Sequence, residues 1–376
     1  MAGILPSPSL LIEYWSNDGS TFGPLARKGV IHDALNVGWS WYSRFPAAAF
    51  FTLRQNSVHN SQISPALDHI RIYYVNLALG LEKLVFSGRV SDPDSSGEDV
   101  VWTAWSYLAE LSLSRSGYRT LYPQKPLDEI ALAEWTAAKT VQYSLLNHIV
   151  TGTFERPLGS DGTTTILTDN RFGVIDVPRL LLMFDLSEIG RANTVNNVTY
   201  EISRNPPHTF NFWKNRGTHY ADRQLAFPGG TRDYRFVPGY ARLRNDLATI
   251  GTTAGGGAVE IIKTNTSSMT TYGRRQDVFT IKTLSGQVGG TTELDAQNAI
   301  TARAVAEASQ LERMIQLDVR DAEWPPFDGW EIEDTVPVAV RRGRDTINAT
   351  YRIVGARGVL DGGGYHPALI LQKPTA

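Results

Sequence analysis

The sequence contains no cysteine in 376 residues. Disulfide bonds, thiolate metal sites and cysteine nucleophiles are therefore excluded. A long apolar segment is absent as well, since no stretch approaches the roughly 18 apolar residues of a membrane-spanning helix. The start of the chain also lacks the basic and apolar regions of a secretion signal. We expect neither a transmembrane anchor nor classical secretion.

The chain carries little net charge. Its formal charge is −2 at pH 7, from 36 basic and 38 acidic residues, so the surface as a whole does not attract nucleic acid or an anionic membrane. With 42% hydrophobic and 20% charged residues, the composition is that of a globular protein with a large core. The length favours a fold of several domains.

Local motifs of common enzyme classes are missing. There is no Gly-x-Ser-x-Gly elbow, and the glycine-rich segment 251–257 lacks the Lys-Ser/Thr pair of a phosphate-binding loop. The turn at 92–97 resembles the opening of a calcium loop, but its twelfth position is Thr103 and not Glu. The seven histidines are far apart in sequence, which leaves only a site assembled by the fold. We predict no catalytic residue, no metal site and no cofactor.

Short alternating segments indicate a mainly β fold. Within the first 105 residues, five runs are rich in aromatic and β-branched side chains and are separated by Gly, Pro, Asn and Ser. They are Leu10–Tyr14, Ala48–Arg54, His69–Tyr74, Leu84–Val90 and Val100–Ala104. Their spacing predicts a small barrel or sandwich over residues 1–105.

Helical periodicity follows this region. Residues 105–113 and a longer segment, with Asp128 as its N-cap and its end near Gly152, have apolar positions at helical spacing. They define a helical part, 106–160. A second β-rich part, 161–290, is expected to contain a long loop at 216–257 and strands at Arg179–Phe184, Val198–Ile202 and Thr209–Trp213.

The C-terminal part, 291–376, combines a helix with β-hairpins. The helix is predicted over Leu294–Met314, and an extended run follows over Ile315–Arg320. Alternating residues around Val338 and Ile353 then predict an antiparallel hairpin whose turn is 341–344. The predicted class is α+β, mainly β, and the four parts need not be continuous in sequence.

Two groups of arginine are candidate contact surfaces. The first lies in the predicted loop and the second in the hairpin turn. The candidate residues are Arg232, Arg235, Tyr240, Arg242, Arg244, Arg341, Arg342 and Arg344. Because the guanidinium group binds carboxylates in a bidentate fashion, we predict a subunit interface, with contact to DNA as the alternative.

Tryptophan and acidic residues leave two other functions open. Most of the tryptophans are expected in the core or at interfaces, but Trp39 and Trp41 could instead stack on sugar rings in a carbohydrate-binding protein. Glu331, Glu333 and Asp334 are expected to form a solvated turn, although such carboxylates could serve a cell-wall hydrolase.

Several segments, read in order, resemble the tail hub or minor tail proteins of long-tailed bacteriophages, especially those that infect actinobacteria. The segments are Val85–Val90 with Val100–Leu111, Phe184–Gly190 with Val198–Ile202, and Asp328–Val336 with Tyr351–Gly355. The resemblance implies two tail-tube-like β-barrel domains, joined by helical and mixed α/β insertions, in a homotrimer.

The same resemblance implies a function. The chain would be a structural, non-enzymatic protein of the virion, assembled in the host cytoplasm. It would form the baseplate hub that ends the tail tube and the channel through which the viral DNA passes. Its expected partners are the distal tail protein, other tail-tip proteins and the tape measure protein. Carbohydrate binding and cell-wall hydrolysis remain the alternatives.

Overall fold

The computed structural model describes most of the chain. The described residues are 8–17, 22–95, 97–117, 120–159, 161–168, 173–174, 176–193, 197–229, 231–236, 243–252, 258–281, 298, 301–302, 304–306, 308–309, 314–320, 322–342 and 345–374. Tyr240, Arg242 and Arg344 lie outside them.

The strands in the first half of the chain are β1 (Ser9–Asn17), β2 (Pro24–Ile31), β3 (Asn36–Tyr42), β4 (Phe45–Arg54), β5 (His69–Asn76), β6 (Leu81–Val90), β7 (Asp99–Trp105), β8 (Thr120–Leu121), β9 (Val150–Phe154) and β10 (Gly173–Val174). Those in the second half are β11 (Thr199–Ile202), β12 (Thr209–Trp213), β13 (Leu225–Phe227), β14 (Thr231–Phe236), β15 (Asp246–Thr252), β16 (Ala258–Thr264), β17 (Gln276–Ile281), β18 (Met314–Val319), β19 (Thr335–Arg342), β20 (Asp345–Asp361) and β21 (Gly364–Gln372).

The helices are short. They are α1 (His59–Gln62), α2 (Glu110–Leu113), α3 (Leu127–Thr140), α4 (Arg179–Asn193) and α5 (Thr266–Tyr272), and a 3-10 turn at Tyr107–Ala109 precedes α2. Residues described between 298 and 308 are also helical. None of the helices that the structure describes is long and apolar enough to span a membrane. The predicted class, α+β and mainly β, is confirmed.

One sheet of 13 strands joins the two ends of the chain. Its order is β14-β18-β21-β20-β3-β4-β7-β6-β5-β1-β2, and β19 and β13 are attached beside β20. The long β20 pairs with β19 in its first part and with β3 in its second part, and its register with β21 shifts between Ile353 and Gly355. A β-bulge of this kind bends a strand. The bend lets β20 pair with β19 in its first part and with β3 in its second part. The division into four parts and the closure into two barrels stay predictions.

Two separate apolar cores are present. The first core lies on one face of the large sheet, where alternate side chains such as Ile12, Phe51 and Ile72 are buried. The second core is formed by α3, α4 and the three-stranded sheet β11-β12-β9. There the Trp135 ring stacks on the Phe210 ring, with 4.3 Å between centroids. Each core therefore has its own apolar packing.

A third, smaller unit contains the sheet β16-β15-β17 and α5. The helical residues near 301 pack on this sheet, since the Thr249 and Thr301 hydroxyls are 2.6 Å apart. Asn265 caps α5 by accepting a hydrogen bond from the Ser268 amide.

Several predicted elements are confirmed. All five predicted N-terminal strands are present as β1, β4, β5, β6 and β7, and Val198–Ile202 and Thr209–Trp213 correspond to β11 and β12. The helix-like segment at 105–113 is the 3-10 turn with α2. The extended run before Arg320 is β18, and the C-terminal hairpin is formed by β19 and β20.

Other predictions were wrong. Arg179–Phe184 is not a strand but the start of α4, because its apolar residues belong to a helical stripe that continues to Leu186. The helix after Pro126 ends at Thr140, and the chain then turns back toward β9. Asp128 is not its N-cap but lies in its first turn, bound by Arg156.

Most of the remaining corrections concern the second half of the chain, and two strands of the first half were missed. The predicted loop at 216–257 contains β13, β14 and β15. Met314, the expected end of a helix, is the first residue of β18. β2 and β3 were not predicted.

Candidate functional site

The acidic turn before β19 lies at the junction of the two cores. Glu333 is 1% exposed and has a φ of +81°, a conformation that side-chain-bearing residues rarely adopt. Its carboxylate accepts hydrogen bonds from Ser43, in the turn between β3 and β4, and from Asn197, just before β11. One residue thereby connects the large sheet, the second core and the C-terminal strands.

Two arginines neutralise Glu333. The distance from Glu333 Oε2 is 3.5 Å to Arg352 Nε and 3.7 Å to Arg191 Nη2. Burial lowers the pKa of Arg191 to about 10. The prediction of a solvated turn was wrong at Glu333, because cations from β20 and α4 compensate a carboxylate that the fold removes from water.

The neighbouring acidic residues are also engaged. Glu331 Oε1 lies 2.9 Å from Arg204 Nη2, and the Arg204 guanidinium carbon lies 3.5 Å from the centroid of the Phe327 ring. Asp334 accepts hydrogen bonds from the backbone amides of Thr218 and Glu331, and burial raises its pKa. These carboxylates hold parts of the fold together, which is the role that the geometry supports for them.

A buried histidine cluster lies elsewhere in the same junction. His69, His148 and His208 surround Tyr107, and this set is called the histidine cluster below. The Tyr107 ring centroid is 4.8 Å from that of His148 and 4.7 Å from that of His208, and the Tyr107 hydroxyl is 2.9 Å from His69 Nδ1. The sequence gives no signal for this grouping, because the residues come from distant segments.

The environment of the histidine cluster opposes protonation. Burial, together with the positive charge of Arg89, lowers the pKa of His69 to about 2 and that of His148 to about 3. Burial lowers the pKa of His208 to about 4. Within the described ranges, no set of three or more His, Asp or Glu side chains has a geometry that could hold a metal ion. Because their pKa values are lowered in this way, the three imidazoles are neutral near pH 7.

The structure brings four of the candidate arginines together at one edge of the large sheet. Arg232 and Arg235 are exposed on β14, the last strand in the sheet order, and Arg341 and Arg342 are exposed at the end of β19. These four residues are called the arginine edge.

Contacts within the chain hold part of the arginine edge. Arg342 Nη1 lies 3.2 Å from Asp233 Oδ1, and Arg235 Nη2 donates to Gln316 Oε1 at 2.6 Å. Arg244 lies apart in the third unit, where its Nε is 3.2 Å from Asp277 Oδ2. The contact of these residues with another subunit stays a prediction.

The tryptophans proposed for glycan stacking are inside the protein. Trp39 and Trp41 are 3% and 7% exposed in the first core, which agrees with the predicted core packing and excludes the alternative of a sugar-binding platform at these two residues. Trp105 is different, because it is 48% exposed on β7. Its neighbour across the sheet is Ala48, and Phe50, two residues farther along β4, is 37% exposed.

Sequence comparison finds no match, either among family models or among curated proteins. Structural comparison does. The fold is similar to that of the 43 kDa tail protein of prophage MuSo2 from Shewanella oneidensis, with a TM-score of 0.59 and 13% identity over 97% of this chain and 98% of that one. A tail protein from Neisseria meningitidis MC58 gives a TM-score of 0.55 and 10% identity over 97% of each chain.

A third similar structure is a prophage tail protein from Listeria monocytogenes EGD-e. Its TM-score is 0.51, and its identity is 13% over 98% of this chain and 96% of that one. At such low identity the similarity establishes a shared fold. It extends over nearly the full length of all three proteins.

Proposed function

We propose that this chain is a structural protein of a bacteriophage tail, and specifically the tail-tip hub that ends the tail tube. The observation that carries the proposal is the similarity of fold to the MuSo2 tail protein, which covers 97% of this chain and 98% of that one. A fold shared over nearly the full length of both chains supports a shared structural role more strongly than a similarity confined to one segment would.

The proposed hub is a homotrimeric ring around a channel for the viral DNA. A closed ring of identical subunits requires one surface patch to bind a different patch on the next subunit. The arginine edge suits the first patch, because its four arginines are exposed and two of them, Arg232 and Arg235, lie on the end strand of the large sheet. The matching patch would supply carboxylates. The distal tail protein, the other tip proteins and the tape measure protein would bind to the two faces of the ring.

The oligomer can be tested with the purified protein. Light scattering after size-exclusion chromatography should give three times the mass of the 41.5 kDa chain. The double variant Arg232→Glu and Arg235→Glu should elute as a monomer, because it places like charges across the proposed contact. The matched control is Arg54→Glu, a charge reversal at an exposed residue at the end of β4.

The possible results separate the parts of the proposal. A monomeric wild type at the highest soluble concentration would contradict the homotrimer. A trimer in both variants would keep the ring but remove the arginine edge from its interface. A monomer in both variants would mean that the loss of assembly is not specific to that edge.

A further inference from the structure

The histidine cluster occupies the contact between the first and the second core. His69 belongs to β5 of the large sheet, whereas His148 lies in the turn before β9 and His208 lies just before β12. The β9 and β12 segments are joined next to the cluster, since the Val150 amide donates to the His208 carbonyl at 2.8 Å. Any proton that binds these imidazoles therefore binds between two separately packed parts of the protein.

The hydrogen bonds leave no acceptor for an added proton on His208. His208 Nδ1 is 3.0 Å from the Ser203 carbonyl, so it is the nitrogen that carries the proton of the neutral ring. Its Nε2 is buried and has no hydrogen-bond partner among the described residues. Protonation would place a donor and a positive charge at a position that offers neither water nor an acceptor.

The charged groups around the histidine cluster make a protonated imidazole still less favourable there. The titratable and charged residues around the three imidazoles are Tyr107, Arg71, Arg89, Lys139 and Glu110. Three of them are cations. The carboxylate Glu110 is already bound to Arg89, whose Nε lies 2.7 Å from Glu110 Oε1. Burial also raises the pKa of Glu110 to about 7, so this group gains a proton itself as the pH falls. Glu110 therefore offers little compensation for a protonated histidine.

His148 is enclosed by the chain that leads into β2. A Cβ atom on Gly23 would lie 2.5 Å from His148 Cβ, so the backbone of this segment packs directly on the imidazole-bearing residue. Both ring nitrogens of His148 are also buried. The residue as a whole is partly exposed, but these nitrogens, where a proton would bind, are out of contact with water in the closed state.

We propose that the histidine cluster is an acid-sensitive joint: when its imidazoles are protonated, the second core parts from the large sheet while both cores stay folded. Parting gives the charged rings access to water. It costs less than unfolding because each core keeps its own apolar packing. In a tail protein, such a joint would let one part of the subunit move relative to the sheet when the surrounding pH falls.

The linkage between proton binding and parting determines in which direction, and over which pH range, the equilibrium between the closed and parted states shifts. In the parted state the imidazoles return to their ordinary pKa near 6.5, while in the closed state their pKa values are lower. The three imidazoles thus bind more protons in the parted state, while Glu110, whose pKa burial raises to about 7 in the closed state, opposes them by at most one proton. Its equilibrium constant should rise about tenfold per pH unit for each histidine involved, as the pH falls from about 6.5 toward 4.

Hydrogen exchange tests the proposal. Amide protection is measured by mass spectrometry at pH 7, 6 and 5, after correction for intrinsic exchange rates. In the wild type, peptides covering 144–150 and 203–209 should lose protection about tenfold or more per pH unit below 6.5, while peptides in β18 and α3 should keep theirs. The variant with His148→Gln and His208→Gln should show a smaller pH dependence at the junction, and His366→Gln, at an exposed histidine, should behave as the wild type.

Two results would overturn the proposal. One is a wild type whose junction peptides show no added pH dependence between 7 and 5, a result that needs no variant to fold. The other is a simultaneous loss of protection in β18, α3 and the junction, which would indicate unfolding of the whole protein. Near-ultraviolet circular dichroism at pH 7.5 confirms that the variants are folded before they are compared.

Discussion

Arg352 Nε lies 3.5 Å from the carboxylate of Glu333, which is almost fully buried where the two cores meet. Arg352 also donates to the side-chain oxygen of Asn197, and Asn197 in turn donates to Glu333. The three residues come from β20, the start of the second core and the acidic turn. This closed set of hydrogen bonds and charges fixes how the C-terminal strands meet the second core.

We expect Glu333→Ala to destabilise the protein by about 3–5 kcal/mol, because it leaves Arg191 and Arg352 without their buried anion. The free energy of unfolding, measured with urea, checks this. Glu323→Ala is the control, because that side chain is 47% exposed and its pair with Arg320 is solvated, so its effect should stay within about 1 kcal/mol. Equal effects of the two substitutions would contradict the assigned role of Glu333.

The tryptophans provide a second prediction. Trp39→Ala removes a buried ring from the first core and should cost about 3–5 kcal/mol of unfolding free energy. Trp105→Ala should cost far less, since about half of that side chain faces solvent. Thermal unfolding of the two variants checks the order. A Trp105→Ala variant that is as unstable as Trp39→Ala would show that this ring supports the core.

The ion pair of the arginine edge should contribute little to the fold. Arg342 and Asp233 are 62% and 61% exposed, and exposed pairs contribute at most about 1 kcal/mol. We therefore expect Arg342→Ala to leave the unfolding free energy nearly unchanged. The same variant should weaken the trimer, which a dilution series by light scattering would detect. A large loss of stability in the monomer would instead assign Arg342 to the fold.

Stability should decrease in acid. The pKa values of His69, His148 and His208 are lowered by burial, so the unfolded chain binds more protons than the folded chain below pH 6.5. The unfolding free energy should be insensitive to these residues above about pH 7 and should fall by about 1.4 kcal/mol per pH unit for each histidine below 6.5. Urea unfolding between pH 7.5 and 4.5 measures the slope.

A comparison of two histidine variants separates the contribution of the buried histidines to the pH dependence of stability from that of the acidic residues. His208→Gln should reduce the slope of stability against pH, whereas His366→Gln should not, because His366 is exposed and pairs with Asp361 at the surface. Identical slopes in the wild type and in His208→Gln would contradict the pKa shift assigned to His208.

The strands of the first part were predictable because one of their faces is buried. In β5, His69–Asn76, aromatic and β-branched residues follow one another between turn residues, and this pattern depends only on local sequence. The start of α4 was not predictable from Arg179–Phe184 alone, because a short apolar run fits a buried strand as well as a buried helix. Only the burial of Leu186 one turn farther along distinguishes the two.

The junction was not predictable for a different reason. An acidic turn is usually solvated, and the burial of Glu333 depends on Arg191 and Arg352, which are close to it only in the folded chain. The grouping of His69, His148 and His208 likewise results from the packing of β5 against the second core. Sequence spacing contains no information about such contacts.

The central claim is that the chain ends the tail tube. The most direct measurement is electron microscopy of virions from the phage that encodes this chain, labelled with gold-conjugated antibodies against it. The proposal predicts label at the distal tip of the tail and at no other place. Label along the length of the tube or on the head would contradict it, and so would the absence of label both on intact virions and on virions whose tip has been dissociated.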